Sequence, residues 1–135
     1  RTKALVEFAD IYPRLCELCK LPLGAGLEGH SFAPLIDDAN RDWKTSAFSQ
    51  YRRVIPGYGE LGRGMGYSMR TDRYRFTEWL VPGTGFRAYE LYDHRSDPGE
   101  NINLAVAATH AQMVEELKKQ LKNGWKAAVP DNISR

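Results

Sequence analysis

Gly66-Tyr67-Ser68-Met69-Arg70 and Tyr74-Arg75-Phe76-Thr77-Glu78-Trp79-Leu80, separated by Thr71-Asp72-Arg73, decide the fold of this 135-residue chain. Both runs are rich in aromatic and apolar side chains, and the short polar break between them predicts a β-hairpin. Strand alternation sends Arg73 and Arg75 to one face and Tyr74 and Phe76 to the other. The turn is expected to be fixed by Asp72 accepting from nearby amides, with the arginines laid over aromatic rings. The alternative for the same arginines is a bidentate grip on sulfate or carboxylate.

Outward from the hairpin, Ala47-Phe48-Ser49-Gln50-Tyr51 reads as a further strand and Tyr89 to Tyr92 as a short one. Asp93-His94-Arg95-Ser96-Asp97-Pro98-Gly99 then forms a polar turn. Residues 107–122 predict a helix with Met113, Val114, Leu117 and Leu121 on one face and Gly124 as its C-cap. Residues 2–21 predict another, with Thr2 as N-cap and Leu5, Phe8, Ala9, Tyr12, Leu15, Cys16 and Cys19 on its apolar side. Pro13 removes a helical hydrogen bond, so two short helices are expected there. Residues 22–44 read as loop, and the five glycines between 52 and 66 predict a long loop that carries function. The result is an α+β fold: an antiparallel sheet of about four strands packed by a C-terminal helix.

Composition narrows the function classes. Hydrophobic residues make up 42% and charged residues 27%, as in globular domains. No run of about 18 apolar residues is present to span a membrane as a helix. The net charge of +2 gives no general attraction to nucleic acid. It is unevenly spread, however: residues 41–75 hold eight Lys/Arg against three acids, and residues 88–101 hold four acids against Arg95. A basic middle suits an anionic ligand.

Sequence motifs for chemistry are sparse. Cys16-Glu17-Leu18-Cys19 lies late in a helix, where the dipole opposes a thiolate, so both cysteines are expected as core thiols. The three histidines stand at no metal-ligand spacing. No G-x-S-x-G elbow, Walker loop or H-E-x-x-H is present. Arg1 is not an initiator Met, and the chain is expected to be a piece of something longer.

Several phrases in fixed order carry a resemblance: Leu5-Val6-Glu7, Asp10-Ile11-Tyr12-Pro13, Leu27-Glu28-Gly29-His30-Ser31-Phe32, Ala47-Phe48-Ser49-Gln50-Tyr51, the hairpin itself, and Glu90-Leu91-Tyr92-Asp93. Together they resemble the C-terminal part of a type I, formylglycine-dependent sulfatase, nearest the iduronate-2-sulfatase-like branch. The resemblance implies a hydrolase of sulfate esters on sulfated saccharides, with an alkaline-phosphatase-like α/β catalytic domain upstream. Formylglycine, calcium and every catalytic residue are expected in that N-terminal domain, so no catalytic or metal residue is assigned here and the chain alone is expected to be inactive. Export, whether periplasmic, secreted or lysosomal, is implied by the same resemblance.

On this basis residues 1–44 are expected to bridge from the catalytic domain, 45–129 to form the C-terminal subdomain and 130–135 to be a frayed tail. Tyr51, Arg52, Arg53, Tyr58 and Arg63 are the candidate substrate-binding residues: arginines for carboxylates or sulfates, tyrosines for stacking on a sugar ring. The partners implied are the N-terminal catalytic domain and a sulfated saccharide, without nucleic acid or a membrane span. The alternative is a non-catalytic module that binds anionic polysaccharide through residues 41–75.

Overall fold

A computed structural model describes residues 1–58 and 63–133. Gly59, Glu60, Leu61 and Gly62, in the middle of the expected loop, and the last two residues of the expected tail lie outside the described residues. The elements run α1 (Phe8–Leu18), α2 (Pro34–Asp37), β1 (Ala47–Val54), β2 (Arg63–Arg70), β3 (Tyr74–Val81), β4 (Phe86–Asp93) and α3 (Ala111–Asn123). The strands form one antiparallel sheet in the order β1-β2-β3-β4.

The hairpin forms where expected, with Arg70 opposite Arg75 as the last pair. Its turn is closed by Thr71 and not by Asp72. The Thr71 amide donates to Tyr74 O at 2.8 Å, and the Thr71 hydroxyl accepts from Tyr74 N at 2.9 Å. Asp72 stays in solvent, its side chain 83% exposed. A hydroxyl two atoms from the backbone satisfies both ends of so tight a turn.

One face of the sheet holds the core. Met69, Phe76 and Leu91 are fully buried there against Val114 and Leu117 of α3, with Phe48, Tyr74 and Met113 packed around them. Burial of each such side chain is worth about 1.5–3 kcal/mol, so α3 is held by apolar contact. Its start is later than expected. Turns of 3-10 helix at Leu104–Val106 and Ala108–His110 precede it, while Gly124 caps it as predicted. The open edge of β4 is closed by one side chain: Asn103 accepts from Leu91 N and donates to Tyr89 O, each at 3.0 Å. That spends backbone groups that would otherwise be free to pair with another chain.

The N-terminal helix departs from expectation in its start and in its continuity. It begins at Phe8 with Glu7 as N-cap, while Thr2 binds Ala4 N and Ala39 O instead. It runs unbroken through Pro13. The Ala9 carbonyl, which Pro13 cannot bond, lies against Gly29, where a Cβ would come within 2.0 Å of Ala9 O. Only a glycine admits the chain at that spot. The buried side of α1 is Asp10, Pro13 and Cys16, whereas Phe8, Tyr12, Leu15 and Leu18 face solvent at 93%, 56%, 52% and 59% exposure, the open apolar face that a helix bridging to another domain is expected to keep. Cys16 is a core thiol as expected, but Cys19 is exposed.

A buried ion cluster holds this helix in place. Lys44 Nζ lies 2.6 Å from Glu7 Oε2 and 2.7 Å from Asp10 Oδ1, with the Lys44 and Asp10 side chains 1% and 0% exposed. The remaining oxygens are spoken for. Asp10 accepts from the amides of Glu7 and His30, and Glu7 Oε1 accepts from Phe48 N at the start of β1. Every lone pair turned inward has a donor, the condition under which buried charge is tolerated.

Candidate functional site

Of the stretch from 52 to 66, expected as loop, residues 52–54 and 63–66 belong to the sheet. β1 continues to Val54 and β2 begins at Arg63, so Arg52 pairs with Met65, Arg53 with Gly64 and Val54 with Arg63. Two of the glycines that suggested a loop are sites of close packing, while Gly57 stands in open space at a φ of +92°. Trp79 lies across Gly66, where a Cβ would meet the indole at 2.7 Å, and a Cβ on Gly64 would meet Ile55 at 2.6 Å.

Extension of the strand divides the five candidate residues. Successive side chains point to opposite faces, so Tyr51 and Arg53 lie on the face away from α3 while Arg52 and Arg63 share the α3 face. The Arg53 guanidinium sits over the Trp79 ring, 5.6 Å from its centroid. Trp79 is thus half-buried between Gly66 and Arg53. Tyr51 is exposed at 71%. Tyr58 turns back across the same face and meets Phe86 edge-on, with ring centroids 5.0 Å apart. Arg52 and Arg63 are exposed and make no ion pair among the described residues. Among the described residues these two, unlike Arg53, make no ring contact either.

The arginines of the hairpin turn are already engaged. Arg73 makes a two-pronged contact with Asp93, Nε to Oδ1 at 3.0 Å and Nη2 to Oδ2 at 2.6 Å, and lies over the Tyr74 ring as predicted. Hydrogen bonding from Arg73 holds the Asp93 carboxyl down at about 2. Arg75 meets Glu100, which also binds His94. Arg70 donates to the carbonyls of Thr71 and Tyr74, and burial followed by repulsion from Arg75 lowers its pKa. The fork geometry suited to sulfate is therefore filled by the chain's own carboxylates and carbonyls. Among the described residues no group of three or more His, Cys, Asp or Glu is placed to hold a metal ion.

The sheet, its covering helix and the charged turn beyond β4 define a sulfatase-type C-terminal subdomain, and comparison with known proteins names the family. The family described as N-sulphoglucosamine sulphohydrolase, C-terminal, matches residues 1–127, and the chain belongs to it. Among curated relatives, a Delta 4,5-hexuronate-2-O-sulfatase of Bacteroides thetaiotaomicron is 26% identical over 133 residues, covering 90% of this chain and 25% of the relative. Human arylsulfatase A is 29% identical over 159 residues, covering 99% of this chain and 30% of that protein.

Among solved structures, a 2-O GAG sulfatase superposes with a TM-score of 0.66 at 26% identity, over 88% of this chain and 24% of that one. The phosphonate monoester hydrolase of Agrobacterium radiobacter shares the fold at a TM-score of 0.71 and 22% identity, over 92% of this chain and 25% of that one. The chain thus spans about a quarter of the length of the first of these relatives.

Proposed function

We propose that this chain is the C-terminal subdomain of a sulfuric ester hydrolase acting on sulfated saccharides, of the iduronate-2-sulfatase-like kind. The observation that carries this is the family match across residues 1–127 on a sheet with the same architecture as solved sulfatases. The 2-O-sulfated uronic substrate is supported by the relatives named as a hexuronate-2-O-sulfatase and a 2-O GAG sulfatase. The chemistry belongs to the remaining three-quarters of such a protein, where formylglycine supplies the nucleophile and calcium neutralises sulfate charge. This chain contributes a rigid sheet and basic side chains beside that centre. Of the five candidates, Arg52 and Arg63 are free to meet carboxylate or sulfate on one face, and Tyr51 offers an open ring on the other.

The outward face of α1 fits the same picture. Phe8, Ile11, Tyr12, Leu15 and Leu18 make an exposed apolar stripe, larger than a lone domain ordinarily leaves in water. The catalytic part is its proposed cover. Sulfate release from a 2-O-sulfated uronic disaccharide tests the function, with the intact protein that carries this chain set beside residues 1–135 alone. The intact protein is expected to release sulfate and the 135-residue chain none. An intact protein that cleaves neither this nor any aryl sulfate overturns the proposal.

A further inference from the structure

The α3 side of the sheet is covered over only half its length. α3 packs on the row Phe48, Met69, Phe76 and Leu91. The next rows on the same face follow from the register. Gln50, Tyr67, Glu78 and Tyr89 stand across the four strands, then Arg52, Met65, Leu80 and Arg87, then Val54 and Arg63. This end is open, with Val54 at 69%, Tyr67 at 39% and the Arg87 side chain at 58% exposure. The C-terminal half of α3 forms its wall. Lys118 lies over the Tyr89 ring at 4.1 Å, and Lys122 and Trp125 border the same hollow.

The charge of this surface is mainly positive. Arg52, Arg63, Arg87, Lys118 and Lys122 outnumber its acids: Glu78 in the rows, which binds Arg87 and receives the Tyr89 hydroxyl at 3.4 Å, and Glu7 and Glu28 along the hollow, of which Glu7 is bound by Lys44. Lys118 is answered by Glu115 at 2.7 Å. Arg52, Arg63 and Lys122 have no ion-pair partner among the described residues. Three inter-strand spacings separate Arg52 from Arg87, roughly 14 Å. Tyr89 is stacked on Phe76 and covered by Lys118, which leaves Tyr67 as the ring open to a ligand.

We propose that this half-open sheet face, with Arg52, Arg63, Arg87 and Lys122 around Tyr67, is a binding platform for an extended anionic polysaccharide. Cations spaced across the sheet suit charges repeated along a chain, and guanidinium forks suit sulfate or carboxylate. Glu78 and Gln50 in the middle favour a ligand that also bears hydroxyls, since a continuous phosphodiester backbone would meet the Glu78 carboxylate. An open tyrosine ring between cations suits the apolar face of a sugar. The proposal deepens the saccharide part of the function proposed above and rests on it for the nature of the ligand.

The test uses the intact protein carrying this chain and a heparin-derived hexasaccharide, with its chemically desulfated counterpart as the second ligand. Arg52→Ala combined with Lys122→Ala is expected to weaken hexasaccharide binding at least tenfold, Tyr67→Ala several-fold, and Arg95→Ala at the far end of the sheet less than twofold. Binding of the wild type is expected to fall steeply with salt, as exposed charge contacts do, and to be lost on desulfation. Equal loss in Arg95→Ala, equal affinity for the desulfated sugar, or displacement by single-stranded DNA of the same charge count would each overturn the platform. Exposed positions were chosen so that thermal melts report the same fold in every variant. Sulfate release by the wild type is scored separately, so failure of the hydrolase proposal and failure of the platform give different results.

Discussion

α1 and α3 are attached to the same sheet by opposite means. α3 brings Val114 and Leu117 onto Met69, Phe76 and Leu91, a contact with no polar atom at its centre. α1 brings Glu7 and Asp10 to Lys44 and the first amide of β1, and turns its own apolar residues outward. Apolar packing is adaptable and tolerates substitution by volume. A buried ion cluster fixes one geometry, because each partner leaves an uncompensated charge when another is removed. The difference teaches how a subdomain can position a helix that has its main contacts elsewhere: the charge cluster holds α1 from behind and leaves its greasy face free.

The sharpest way to break this comparison is to remove one member of each attachment. Lys44→Ala buries Glu7 and Asp10 without a counter-charge and is expected to cost about 3–5 kcal/mol. Phe76→Ala empties the centre of the α3 contact and is expected to cost about 3–5 kcal/mol as well. Urea unfolding measures both. The two separate on repair. Phe76→Leu is expected to recover most of the α3 loss, whereas Lys44→Met is expected to recover little, because the carboxyls of Asp10 and Glu7 lose their cation and remain buried. Replacing Glu7 and Asp10 too would strand the amides of Glu7, His30 and Phe48, each at about 1–3 kcal/mol if left without a partner. A Lys44→Met variant as stable as the parent chain would show that the cluster is not what holds α1.

A smaller effect concerns the turn after β4. Asp93 is held at about 2 by Arg73, below its ordinary value of 3.8. A carboxyl lowered on folding adds stability that is full above the ordinary value and is lost as the pH falls from there through about 2. Asp93→Asn is therefore expected to melt below the wild type at pH 6 and to converge with it near pH 2. A difference that stays constant across this range would assign the loss to shape and not to charge. Smallest of all, Phe8→Ser is expected to change the stability of residues 1–135 by no more than about 0.5 kcal/mol, because the ring touches almost nothing in this chain.

How much of this was legible in the sequence follows from the range of each interaction. The hairpin, β4 and α3 show in the alternation and the helical period because one face of each is buried by neighbours of the same kind. The far ends of β1 and β2 were hidden by the glycines before Gly66. Gly64 read as a loop residue, yet it is small because Ile55 lies on top of it, as Trp79 lies on Gly66 where the expected strand begins. No local pattern records a ring arriving from the next strand. The apolar side of α1 is plain in the period, and its outward turn suits a helix that bridges to another domain. No local pattern records the burial of Asp10 by Lys44, which lies 34 residues away. Arg52 and Arg53 were grouped for loop length and local charge, but in a strand neighbouring residues lie on opposite faces. Arg87 and Lys122 went unnoticed because only the register brings β4 and α3 beside Arg52 and Tyr67.

The most direct test is surface labelling of the intact protein that carries this chain, with Phe8, Ile11 and Leu15 read by mass spectrometry against Val106, which is 85% exposed. If α1 is held from behind by charge and covered in front by the catalytic part, these three residues are labelled far less than Val106. If they are labelled as heavily as Val106, the outward face of α1 is bare in the whole protein, and the account of this chain as one part of a two-part hydrolase is contradicted.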